Sequence, residues 1–137
     1  MILFDSKHGE VAWDEELKAV IIEWKGFAYG EEFQLIMLKG IEWIKKMKSN
    51  RLLMDARKGS AIKPDDQEWI ARHFVQRAYG NGLRHFAMVL PQSMIAKLSL
   101  DRAVNQLGVL PYQLVNFSDM KEARHWVAET PAVAKAN

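Results

Sequence analysis

The residues best placed to do chemistry follow an apolar run, Leu52-Leu53-Met54. They are Asp55, Arg57, Lys58 and Ser60. A run with no polar alternation reads as a strand covered on both faces, as in the middle of a parallel sheet. Ligands of open α/β sheets gather at the carboxyl ends of such strands. Asp55 and Arg57 could pair there and orient a carboxylate or phosphate; an ordinary surface ion pair is the plainer alternative. Ser60 has no base at a spacing that would make it a nucleophile. The histidines, His8, His73, His85 and His125, form no HExxH and no i, i+4 pair on one expected helix, so no metal site is expected. Gly80-Asn81-Gly82 follows a helical pattern and precedes a strand, the reverse of a dinucleotide fingerprint, and reads as a helix stop. No triad, paired general acid and base, or cofactor motif stands out, so neither an enzyme nor a bound cofactor is expected.

These residues are carried by a chain of 137 residues, 49% hydrophobic and 26% charged, with no cysteine. That is globular composition for one domain, long enough to bury roughly two thirds of its unfolded surface. A net charge of +2 gives no basic stripe for a nucleic acid. Without cysteine there are no disulfides, thiolate nucleophiles or cysteine-held metals. The first residues do not read as a signal peptide, and no apolar run approaches the ~18 residues of a membrane span. A cytoplasmic location is the resulting expectation. Residues 1–129 are expected to form the domain, and residues 130–137 a flexible tail that frays from Thr130.

The elements follow from periodicity. Strands are expected at Ile2–Asp5, Glu10–Asp14 and Lys18–Trp24, the last two joined by a polar turn and so antiparallel. Phe33, Met37, Gly40, Ile41 and Ile44, widened by Ile36 and Trp43, mark a helix from Gly30 to Met47 with lysines at its end. The strand closed by Asp55 leads through a loop, Ala56–Lys63, to a helix opened by Pro64 with Asp65 and Asp66 in its first turn. Ile70, Phe74 and Ala78 mark one face of that helix, with Trp69 and His73 beside it. A second uninterrupted strand, His85–Leu90, a helical stretch, Ser93–Leu107, and an edge-like strand, Tyr112–Phe117, come next. Ser118 is the expected N-cap of a last helix that buries Met120, Ala123 and Val127. The order is β-β-β-α-β-α-β-α-β-α: a mixed sheet with helices packed on it through right-handed crossovers.

One stretch departs from simple amphipathicity. At about 100° per residue, Met94, Ile95 and Leu98 fall on one arc of their helix. Leu100, Ala103, Val104 and Leu107 fall nearly opposite, and a helix on a sheet buries one arc only. Three readings are open: a break at Ser99, a dimer surface, or a mobile helix over an apolar cavity or against lipid. Met94 suits the last through its adaptable thioether, and Lys97 and Arg102 flank the patch.

The element order and four segments resemble the SpoIIAA-like group of small bacterial proteins, which shares its fold with STAS domains and is similar to CRAL-TRIO lipid-transfer domains. The segments are Val20–Gly26, Leu52–Arg57, Asp66–Ile70 and Phe117–Trp126. The resemblance implies a SpoIIAA-like mixed α/β sheet. It also implies a non-catalytic domain that binds an apolar small molecule, a lipid or a membrane surface, with Trp69, His73, Met94, Ile95 and Leu98 as the expected contacts. The alternative is a STAS-type protein–protein regulator using Asp55, Arg57, Ser60 and Asp65. The phosphorylatable serine of that type has no counterpart here: its place reads Lys63-Pro64-Asp65-Asp66-Gln67, and Ser60 lies earlier, in the loop.

Overall fold

In the computed structural model, residues 1–133 are described. Six strands, β1 (Ile2–Ser6), β2 (Gly9–Asp14), β3 (Ala19–Trp24), β4 (Arg51–Asp55), β5 (His85–Val89) and β6 (Gln113–Phe117), lie in the sheet in chain order. The pairs β1–β2 and β2–β3 are antiparallel, and the remaining pairs are parallel. All five residues of β4 are buried, as its uninterrupted apolar run requires. Strands β1 and β6 lie at the two edges, β6 as its edge-like pattern indicated.

That monotonic order dictates where the helices go. Each parallel step advances in the same direction, so crossovers of one hand place every connecting helix on the same face. The connections are α1 (Gly30–Lys46); α2 (Pro64–Trp69), a π-helical turn (Ile70–Phe74) and α3 (Val75–Gly80) run together; and α4 (Met94–Asn105). All contribute to one apolar cluster with Val20, Ile22, Leu52, Met54, Phe86 and Met88 of the sheet. Helix α5 (Met120–Glu129) has no such constraint and covers the opposite face. There Ala123 and Val127 pack with Leu53, Ala87 and Val89.

Local chemistry fixes the ends of these elements. The β2–β3 turn closes when Asp14 accepts the Leu17 amide at 2.9 Å, with Lys18 at φ 52°. Arg124 of α5 holds the same carboxylate at 2.8 Å. Burial pushes the Asp14 carboxyl up, but these partners outweigh it and hold it below its usual range. Helix α1 lies close on the sheet at Gly40, where an added Cβ would come within 2.5 Å of Ile22 Cδ1. The helix from Pro64 stops as expected, with Asn81 as C-cap and Gly82 at φ 109°.

Four expectations are corrected. The N-cap of α5 is Asp119, whose carboxylate accepts the Lys121 amide at 2.9 Å, rather than Ser118. There is no break at Ser99: α4 runs through it, and the hydroxyl is tied down by donating to the Ala96 carbonyl (2.8 Å) and accepting the Ile62 amide (2.9 Å). The helix from Pro64 is not uniformly α, since the Val75 amide donates to the Ile70 carbonyl five residues back. Fraying does not begin at Thr130, which is buried: Arg51 Nε donates to its Oγ1 (3.0 Å), Arg51 Nη2 donates to its carbonyl, and Asn50 holds the Pro131 carbonyl (3.0 Å). Arg51 is itself buried and needs those acceptors, together with the Leu17 carbonyl at 2.7 Å. The rest of the expected tail, residues 134–137, lies outside the described residues.

Candidate functional site

Between the sheet and its crossover helices lies an apolar cavity of about 70 Å³. Its floor is the register-paired Met54 and Met88, with Phe86 alongside. Trp24 and Phe33, stacked at 5.2 Å, form one wall, and Ile70 and Phe74 of the π-turn another. Helix α4 closes it with Ala96, Leu100, Ala103 and Val104, joined by Leu107 just beyond its end, and Gly59–Ile62 of the β4–α2 loop form a rim. Among the described residues, none that lines it carries a charge.

The π-turn contributes directly to this geometry. The turn places Ile70 and Phe74, both buried, against the cavity, and Val75 after it is buried as well. Such turns recur at functional sites because they redirect side chains without ending the helix.

Helix α4 carries the two arcs read from the sequence. Leu100, Ala103 and Val104, with Leu107 just past the helix end, face the cavity, while Met94 (69% exposed), Ile95 (72%) and Leu98 (47%) lie outside. Lys97 and Arg102 are exposed with the outer set. Polar ties fasten α4: Ser99 to the Ile62 amide, Gln106 to Gln67 at 3.1 Å, and the Gln92 amide before it to the Arg57 carbonyl at 3.3 Å.

The structure divides the residues singled out from the sequence. Met94, Ile95, Leu98 and His73 are exposed and outside the cavity lining. Trp69 stands behind the wall, edge-on to Phe33 at 6.2 Å, and buttresses the cavity without lining it. Ser60 is on the rim and Asp65 is exposed, whereas its neighbour Asp66 is buried and accepts the Gly30 amide at 2.9 Å, joining the starts of α1 and α2. Asp55 and Arg57 do pair, with Nε and Nη2 of Arg57 donating at 3.0 and 2.8 Å. Burial pushes the Asp55 carboxyl up, but Arg57 outweighs it and keeps it below its usual range. Each is the other's partner, and neither lines the cavity. The histidines are dispersed, His8 on Glu32, His85 on Gln113 and His125 on Glu129. Among the described residues no cluster of three or more His, Asp or Glu could hold a metal. Nor is any helix there long and apolar enough to cross a membrane.

Sequence reasoning missed most of the cavity, because Met54, Met88, Phe74 and Leu100 read as ordinary core. The available signal was Tyr112, a phenol at an apolar position, which is buried and lines the cavity.

The six-stranded mixed sheet with its helices has the SpoIIAA-like fold. A similar solved structure is the crystal structure of an uncharacterized protein of the DUF3478 family, with a SpoIIAA-like fold, from Shewanella loihica PV-4. It matches with a TM-score of 0.59 at 13% identity, over 91% of this chain and 98% of that one. At that identity the likeness establishes the fold alone. No protein-family model matches the sequence, and no curated protein matches it significantly.

Proposed function

We propose that the protein is a non-catalytic binding domain for a small apolar ligand, held between the sheet and α4. The observation that carries this reading is the uncharged cavity beneath a helix that also presents an apolar outer arc. Apolar enclosures with few polar groups are the usual form of small-molecule sites. The three lining methionines, Met37, Met54 and Met88, suit a site that must adapt to its occupant. The present volume, about 70 Å³, falls well below the roughly 300–1,000 Å³ of most such sites. Binding therefore requires α4 and the Gly59–Ile62 rim to move outward, and long-chain lipids demand more movement than compact molecules. The outer arc then serves as a membrane-contact face, flanked by Lys97 and Arg102.

Native mass spectrometry of the protein purified gently from its own host tests the reading. A retained small-molecule mass, absent from an Ala103→Leu variant that fills the cavity, is the expected result. No adduct, together with no thermal stabilisation by any of a panel of small apolar probes, overturns it. Sedimentation with anionic and zwitterionic vesicles tests the outer arc; a stable dimer that does not sediment would assign the arc to a second copy.

A second reading, a STAS-type protein–protein regulator, is supported by the exposure of Ser60 and Asp65 close to exposed Phe27 and Tyr29, over which Lys63 is stacked. It is favoured instead if a kinase-like partner binds and binding is lost on altering Ser60 or Asp65.

A further inference from the structure

Among the described residues, two buried side chains with a polar group line the cavity without a side-chain hydrogen bond, Trp24 through its indole N–H and Tyr112 through its hydroxyl. Tyr112 is 8% exposed, lines the cavity, and lies beside Phe86 with ring centroids 6.3 Å apart. Buried tyrosine hydroxyls ordinarily find a partner, because an unpaired one loses its hydration for nothing. Here burial alone acts on the hydroxyl and pushes its pKa far above the phenol range; no hydrogen bond offsets it. Among the described residues, no fully enclosed side-chain oxygen or nitrogen is left without a partner. The Tyr112 oxygen is therefore not fully enclosed, and its residue borders the cavity.

We propose that Tyr112 is the polar anchor of the site, and that the ligand is an uncharged, largely apolar molecule presenting one hydrogen-bond-accepting oxygen, such as a compact ketone. This rests on the cavity reading above and narrows it. The phenol O–H donates to such an oxygen. The ligand must be uncharged, because among the described residues none that lines the cavity could pair a charge removed from water. One acceptor suffices, because apart from the rim hydroxyl of exposed Ser60 the surrounding side chains are aromatic, aliphatic or thioether, with Trp24 the sole further N–H.

Two probes of closely matched shape separate this inference from the reading it rests on. Acetophenone carries the acceptor, and cumene replaces its carbonyl with an apolar branch. Both are titrated by protein-observed NMR into the native chain and into Tyr112→Phe, which keeps the ring and removes the hydroxyl. The expected result is that both probes bind the native chain, and that Tyr112→Phe weakens acetophenone by about three- to tenfold while leaving cumene within about twofold. Retained cumene binding also shows that the variant is folded. Equal weakening of both probes, or unchanged acetophenone binding, overturns the anchor and leaves the cavity reading standing. Failure of both probes to bind the native chain overturns the cavity reading and the anchor with it.

Discussion

On one face of the sheet a single helix, α5, packs Ala123 and Val127 with Leu53, Ala87 and Val89. On the other, three crossover connections bring Phe33, Ile70 and Phe74 among others against Trp24 and Phe86 of the sheet, and still leave a cavity. The difference follows from how the helices are tethered. Helix α5 follows β6 without leading into another strand among the described residues, and its far end is held by side chains, Arg51 on Thr130 and Asn50 on Pro131, so it settles until small residues close the gap. Each crossover is fixed at both ends by neighbouring parallel strands, so its distance from the sheet is set by the connection as well as by its side chains. Bulky residues fill most of the space so defined, and what they leave becomes available to a ligand.

The sharpest way to break this comparison is to remove equal side chains from the two faces. Leu53→Ala, under α5, is expected to cost about 3–4 kcal/mol in urea unfolding, because its surroundings are closed. Leu100→Ala, on α4, is expected to cost about 1–2 kcal/mol less, since it enlarges an existing void beside a helix that can shift. Equal costs would show that the two faces are equally rigid. Next in size is Thr130→Val, expected to lose about 2 kcal/mol by removing a hydroxyl that accepts from buried Arg51. Ala103→Leu should act in the opposite direction, raising stability by about 1 kcal/mol in the same assay while abolishing cumene binding.

The smallest effect is a pH dependence. Arg57 holds the Asp55 carboxyl below its usual range, so this pair stabilises the fold above the unfolded value near 4 and is lost as pH falls through the lower folded value. Arg57 is well exposed, so the contribution is less than about 1 kcal/mol. Asp55→Asn should flatten the fall in melting temperature between about pH 4 and 2; an unchanged slope would assign acid sensitivity to other carboxylates, Asp14 among them.

Much of the architecture was legible because hydrophobic period reports burial. The unbroken runs of β4 and β5 marked central strands, and the two arcs of α4 were visible as an anomaly. The π-turn was hidden because Ile70, Phe74 and Ala78 keep a helical repeat across it. Ser99 suggested a break because serine favours caps, but its hydroxyl is satisfied within α4 and by Ile62. Thr130 looked like tail because its partner, Arg51, is distant in sequence. A cavity under α4 was one of three open readings, but its lining could not be read, since a void depends on how side chains from seven elements fail to meet.

The Arg51–Thr130 contact also has a temporal side. The two residues are 79 positions apart, so Arg51 leaves the ribosome well before its main acceptors exist. At roughly 5–20 residues per second the wait is about 4–16 s. During that interval β4 carries a guanidinium that has no place in a finished core. Of the acceptors Arg51 uses in the folded chain, only the Leu17 carbonyl has been made by then, and the others arrive with the end of α5.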